Sequence, residues 1–242
     1  MTRTIKNDLT IYDTVAAQWW SDEVHWVRTL KRMVPARLRY FSREIEWSGQ
    51  RVLDLGCAGG FMAEAIDDAG ASVAGIDPAR EAIAAAEAHA RETGRTIDYS
   101  VGVGEALPYP DQSFDTVVCV DVLEHVAELD TVIAEIARVL KPGGRLAFDT
   151  INRNWLASFV VVTMAENIIR LLPKGTHDPA KFILPSELRT LLTQHGLTPG
   201  RFAGLGPVGM TLKGDFIFGH LPLQAVIYMG TAERLPASSP AA

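Results

Sequence analysis

The run Val52-Leu53-Asp54-Leu55-Gly56-Cys57-Ala58-Gly59-Gly60 sets an acid near the end of an apolar stretch and small residues directly after it. That order suits a strand that turns sharply into a helix, which is where open α/β sheets receive nucleotide-like ligands. Glycines there remove side chains that would block a ligand, and the helix start offers unpaired N–H groups. Gly56, Ala58 and Gly60 are therefore candidate cofactor contacts, and the extra methyl of Ala58 is tolerable if its φ is negative. The spacing is not GxGxxG, which argues against a nicotinamide dinucleotide. Asp54 can accept a hydrogen bond from the ammonium of an amino-acid-like ligand, or it can cap the turn. Asp77 closes Val73-Ala74-Gly75-Ile76 about 20 residues further on, the distance at which an acid bonds both ribose hydroxyls of a nucleoside. As Asp77-Pro78 it is also suited to start a helix.

A second group of reactive side chains, Asp121, Glu124 and His125, follows the apolar run Phe114–Val120. Three readings fit them. They can hold a divalent ion, with oxygen ligation favouring Mg²⁺ or Ca²⁺ and the histidine allowing Zn²⁺. His125 can act as a general base oriented by a nearby acid. Asp121 can cap a helix, with Glu124 completing a capping-box-like pattern. His177 is either a substrate contact or a loop histidine.

Groups so far apart in sequence meet only if a fold gathers strand ends. Arg51–Leu55, Ser72–Ile76, Phe114–Val120 and Arg145–Thr150 read as strands buried on both faces, and Ile97–Val101 as a further one. Between them lie helical stretches at Phe61–Ala69, Arg80–Glu92 and Leu129–Leu140. The last stops at Lys141-Pro142-Gly143-Gly144, which turns the chain into the next strand. Strict alternation implies right-handed crossovers and a doubly wound, mostly parallel α/β sheet of Rossmann-like type. A single domain over residues 1–232 is expected, with a helical N-terminal cap at 9–47 and a helical insertion at 155–182 after the fifth strand. Pro185–His195 reads as a later helix, Leu197–Tyr228 as the last strands, and 233–242 as a disordered tail.

The chain has 242 residues and a net charge of −6, which lowers the prospect of a nucleic-acid partner. Met1–Asp8 lacks the apolar core of a signal peptide, and no apolar run reaches the roughly 20 residues of a spanning helix. A cytoplasmic protein is expected, touching the inner membrane face at most peripherally. The segment Trp155–Leu172 is bulky and apolar, broken by Glu166, Asn167 and Arg170 and followed by Lys174 and Lys181. Such a segment can lie in a lipid headgroup layer, cover an active site, or join two copies. Cys57 and Cys119 have no metal-finger spacing and read as reduced core thiols.

Asp54 to Gly60, Asp77, Gly104-Glu105-Ala106-Leu107-Pro108 and Phe114-Asp115-Thr116-Val117 together resemble class I S-adenosylmethionine methyltransferases. Asp121-Val122-Leu123-Glu124-His125-Val126, Leu140-Lys141-Pro142-Gly143-Gly144, Thr150-Ile151-Asn152-Arg153-Asn154 and Leu172-Pro173-Lys174-Gly175-Thr176-His177-Asp178 narrow this. They resemble the O-methyltransferases of ubiquinone biosynthesis, from about Trp19-Trp20 to Phe182. The resemblance implies S-adenosylmethionine as cofactor, held at Arg37, Gly56, Asp77 and Val120, with Pro78, Gly104 and Glu105 beside it. It puts Arg37 on the methionine carboxylate, where the residue read alone is a solvated helix position. It makes Asp121, Glu124 and His125 metal ligands. Val103 stands where many relatives carry an acid for the adenine amine, so the backbone of Gly104 and Glu105 takes that role. Val24–Val34 departs from the quinone pattern. The implied activity is methyl transfer to a phenolic, quinol- or catechol-like acceptor. A carboxyl, nitrogen or sulfur acceptor, or a non-catalytic cofactor-binding protein, are the alternatives.

Overall fold

The computed structural model describes residues 7, 9–168 and 172–235; Arg170 and most of the expected tail lie outside them. Five parallel strands form first in chain order: β1 (Arg51–Leu55), β2 (Ser72–Asp77), β3 (Asp98–Val101), β4 (Phe114–Cys119) and β5 (Leu140–Ile151). Strands β6 (Leu197–Met210), β7 (Phe216–Leu221) and β8 (Ile227–Arg234) complete one eight-stranded sheet in the order β3-β2-β1-β4-β5-β8-β6-β7. β8 runs antiparallel between β5 and β6, and β7 runs antiparallel to β6 at the edge. The doubly wound α/β sheet is thus the one that the alternation of elements implies. Strand β8 continues through Arg234, two residues into the segment expected to be tail, because Glu233 pairs with Arg145 on β5. The glycines of Lys141–Gly144 do not lead a separate turn. They lie within β5, where the register against β4 shifts between Phe114 and Thr116.

Alternate residues of each central strand face opposite layers. Val52, Val73, Val118 and Ala147 pack with α2 (His25–Phe41), α3 (Phe61–Asp68) and α4 (Arg80–Glu92). Leu53, Ala74, Val117 and Leu146 pack with α5 (Leu129–Val139) and α7 (Pro185–Gln194). In α4 the buried Ala82, Ala86 and Ala90 recur every fourth position, so the helix lies close against the sheet. The N-terminal region is helical only in part: α1 (Thr10–Thr14), a 3₁₀ turn at Ala16–Gln18, and α2. The rest, including the turn after Phe41, is irregular. The insertion forms α6 (Trp155–Ser158), whose start is capped by the Asn154 side chain on the Ala157 N–H at 2.8 Å. A π-helical stretch, Phe159–Ile168, follows.

The crossovers bring the carboxyl ends of β1, β2, β4 and β5 to one edge, and the β6–β7 hairpin extends past the start of β8 at that same edge. β8 pairs with β6 only as far as Leu205, leaving residues 206–210 bonded to β7 alone. The tip is fastened to α2 by Asp215, whose two oxygens meet Arg28 at 2.9 Å and Arg32 at 2.7 Å. Asp215→Ala is expected to lower global stability by about 1–2 kcal/mol, read from the urea midpoint. It should also make the hairpin at 206–219 the first site of limited proteolysis. A hairpin equally resistant in both proteins would show that the strand pairing alone holds it.

Candidate active site

The carboxyl ends of β1, β2 and β4 surround a cavity of about 430 Å³. It is lined by Arg37, Asp54, Gly56, Ala58, Asp77, Pro78, Gly104, Glu105, Val120, Asp121 and His125, so most of the sequence-derived cofactor positions converge there. Gly60 does not line it. Gly60 instead caps α3 at φ +92°, and a Cβ there would lie 2.4 Å from the Tyr99 hydroxyl. Gly56 needs its φ of +76° and the space beside Val122, since a Cβ would approach Val122 Cγ2 to 2.1 Å.

Ala58 has φ +44°, so the condition of a negative φ under which its methyl is tolerable is not met. A left-handed alanine costs on the order of 1–2 kcal/mol. What holds it is the Asp77 carboxylate: Oδ2 accepts from the Ala58 N–H at 2.9 Å and Oδ1 from the Ala79 N–H at 2.8 Å. Asp77 thus ties the cradle to the turn before α4, and it also borders the cavity. Burial raises the Asp77 pKa to about 6.

Asp54 is fully buried, and neither carboxylate oxygen has a hydrogen-bond partner of good geometry. Burial, then the charge of Asp77, pushes its pKa up to about 7. A buried carboxyl facing a cavity, with the Ala63 N–H giving it a poorly aligned contact, fits a cationic group supplied by a ligand.

Arg37 is 2% exposed, so it is no solvated helix residue. Its Nε donates to Asp149 Oδ2 at 2.5 Å and its Nη2 meets Asp121 Oδ2 at 2.6 Å. The Nε donor is thus hydrogen-bonded and Nη2 is ion-paired without hydrogen-bond geometry, while the guanidinium also lines the cavity.

Asp121, expected as a ligand beside Glu124 and His125, turns instead to Arg37. Among the described residues, one ligand atom each of Glu124, His125 and His177 lies within 4.8 Å of the others. Nor does Asp121 cap a helix, because α5 begins at Leu129. Glu124 Oε2 accepts from the Thr150 hydroxyl at 2.7 Å, and burial with the Asp121 charge raises its pKa to about 8. His125 is held neutral, its pKa lowered to about 3 by burial and by the neighbouring His177 and Lys181. His177 Nδ1 bonds Glu166 Oε1 at 2.8 Å, and the same buried carboxylate accepts from the Gly175 and His177 N–H groups. Glu166 is therefore no polar break in an apolar run but the anchor of the 174–178 loop. Lys181 likewise turns inward, donating to the Val126 carbonyl at 2.6 Å.

Some of the site was not foreseen. Leu9, Thr10, Tyr12, Asp13 and Trp19 form one wall of the cavity. Asp13 fastens this wall by accepting from the Glu81 N–H at 2.9 Å, and Tyr12 packs on Trp19 and Trp26. Gly59 serves that wall, since a Cβ would lie 2.2 Å from the Trp19 ring. Asp149 was an acid inside an apolar strand, and that mismatch was its available signal. Cys57, also a cavity-lining residue, and Cys119 are both buried free thiols.

A parallel sheet with antiparallel strands beyond β5, and an acid–glycine cradle tied to Asp77, define an S-adenosylmethionine-dependent methyltransferase. A methyltransferase domain family matches residues 53–148. The chain is 39% identical over 196 residues to the ubiquinone biosynthesis O-methyltransferase of Thiobacillus denitrificans, covering 80% of this chain and 84% of that one. It is 40% identical to the enzyme of that name from Pseudomonas fluorescens over the same length and coverage. The chain belongs to the family of ubiquinone biosynthesis O-methyltransferases. In fold it is similar to a Thermotoga maritima methyltransferase described as a possible histamine N-methyltransferase, with TM-score 0.65, 16% identity, and 94% and 100% of the two chains covered.

The state of Asp54 gives the site a proton linkage. The acid's folded pKa lies above its unfolded value near 4, so the ligand-free fold loses stability as pH rises through about 7. An ammonium partner reverses this by favouring the carboxylate. Binding of S-adenosylhomocysteine is therefore expected to release protons near pH 6.5 and to tighten between pH 5.5 and 7.5. Calorimetry in buffers of different ionisation enthalpy reads the release, and Asp54→Asn should abolish it. Affinity that is flat with pH in the wild type would exclude Asp54 as the ammonium acceptor.

Proposed function

We propose that this chain methylates a phenolic oxygen of a quinol- or catechol-like small molecule, with Glu124, His125 and His177 holding a divalent cation beside the methyl donor. The observation that carries this reading is the convergence of those three donors within 4.8 Å at the end of β4, next to the cofactor cavity. Two imidazoles and a carboxylate suit Zn²⁺, Mn²⁺ or Fe²⁺ better than the oxygen-only preference of Mg²⁺.

S-adenosylmethionine supplies a sulfonium methyl that an oxygen nucleophile displaces in line, the C–S electron pair remaining on sulfur. The chain's part is mainly alignment in a dry pocket. Asp54 receives the ammonium, Arg37 the carboxylate, Asp77 the ribose hydroxyls, and the backbone of Gly104, Glu105 and Val120 borders the remainder. A cation on the three donors would lower the pKa of a coordinated phenol. The rival role, His125 as general base, is weakened by its own burial: a pKa of about 3 makes it a poor proton acceptor at neutral pH.

Chelation is expected to abolish turnover of a catechol or quinol acceptor, and Mn²⁺ or Zn²⁺ to restore it. His125→Ala, His177→Ala and Glu124→Ala should each lose at least about 10²-fold, as removal of a ligand does. Asp121→Ala should act instead on stability and cofactor affinity through Arg37. If chelators change nothing and His125→Ala alone loses about 10²–10⁴-fold, proton transfer by His125 replaces the metal.

We also propose peripheral lipid contact through the insertion. No helix among the described residues is long and apolar enough to cross a membrane. Trp155 is 78% exposed and Ile168 61%, with Phe159 and Val160 beside them and exposed Lys174 following. Leu223, 73% exposed, sits beside α6 because Asn152 and Asn154 donate to the Gln224 and Ala225 carbonyls. Aromatic and aliphatic side chains with a flanking cation suit an anionic headgroup layer. The protein should co-sediment with anionic liposomes at low salt, and Trp155→Glu with Phe159→Glu should remove this without changing cofactor affinity. Absence of wild-type sedimentation would leave the insertion as a cover for the site or a contact between copies.

A further inference from the structure

Asn7 lies 118 residues before His125, yet it grips that residue at two points. Its Nδ2 donates to the His125 carbonyl at 2.9 Å, and its Oδ1 lies 2.6 Å from His125 Nδ1. The first contact fixes the orientation of the amide, because a carbonyl oxygen can only accept. Oδ1 therefore faces the ring, and two acceptors cannot share 2.6 Å, so His125 Nδ1 carries the proton. In a neutral imidazole this leaves Nε2 as the lone-pair nitrogen. The adjoining ring is set in the same way, with His177 Nδ1 against the buried Glu166 carboxylate and the two rings 5.1 Å apart. Lys181 Nζ lies 3.5 Å from the same His125 carbonyl and supports it from the other side.

We infer that Asn7 is a positioning residue for methyl transfer: it locks His125 in the Nδ1–H tautomer so that Nε2 presents its lone pair to the acceptor site. Neutral histidine in water favours the opposite tautomer, which would offer a proton where the site needs an acceptor. Asn7 stands two residues before Leu9, where the cavity wall begins. The inference rests on the reading of His125 as a ligand or base, but the tautomer itself can be observed without turnover.

The test is ¹⁵N-histidine NMR of the full chain in chelator with S-adenosylhomocysteine bound, His125 being assigned by its loss in His125→Gln. Wild-type His125 should show protonated Nδ1 and unprotonated Nε2. Asn7→Ala should shift the ring to the Nε2–H form and lower kcat about 10–100-fold, with S-adenosylhomocysteine affinity unchanged. Asn7→Asp, which keeps the acceptor, should restore both the tautomer and most of kcat. An Nε2–H tautomer in the wild type, or an Asn7→Ala protein that keeps Nδ1–H and full kcat, would overturn the inference. Failure of the functional reading looks different: His125→Ala would then keep wild-type kcat while the tautomer shift on Asn7→Ala persisted.

Discussion

The buried guanidinium of Arg37, held between Asp149 and Asp121, is the contact on which the site depends. Burying the Arg37 and Asp149 charges costs several kcal/mol per ion, which their mutual attraction and the Nε–Oδ2 hydrogen bond offset, while the partly exposed Asp121 adds a second carboxylate at the rim. Asp149 also accepts from the Asp121 N–H at 2.8 Å, so the carboxylate that receives Arg37 also fixes the backbone at the end of β4. Three things follow from this one network. Helix α2 is seated on the sheet edge, Asp121 is withdrawn from the ligand cluster, and the guanidinium is left lining the cavity.

The electrostatics of the ligand-free site are those of a place prepared for cations. Asp54 and Glu124 are pushed towards neutrality by burial, and His125 is kept from accepting a proton. Burial favours the neutral forms of these groups, and a cation brought in by a ligand would favour the ionised carboxylates instead. On the proposed reading, a cofactor ammonium would answer Asp54 on one side of the cavity and a metal Glu124 on the other, each displacing a proton as it binds.

The sheet was legible because buried parallel strands need apolar runs, and the spacing of helices between them leaves few topologies. The cavity-lining Gly56, Asp54 and Asp77 were legible because they sit where strand ends put them. What stayed hidden depends on distances no local pattern carries. Asp121 looked like a ligand beside Glu124 and His125, and only the position of Arg37 on α2 shows that it is already engaged. His177 lay on a loop whose path is set by Glu166, itself read as a break in an apolar helix. The left-handed φ of Ala58 was not legible because it is imposed by Asp77 from another strand and leaves no trace in the alanine itself. The hairpin β6–β7 was harder still, since its glycines and register shift blur the alternation that marks a strand.

Asp121 meets two demands at once, and few side chains satisfy both. Its φ of +55° falls in the left-handed region, where aspartate, asparagine and glycine are tolerated and β-branched or bulky residues are strained. Its carboxylate must also reach Arg37 at 2.6 Å. Asparagine and glycine suit the backbone but give up the second carboxylate beside a guanidinium that Asp149 already meets, while glutamate keeps the charge on a longer side chain with a conformational penalty. Aspartate meets both demands, so the backbone turn after β4 and the seat of Arg37 are specified by one side chain.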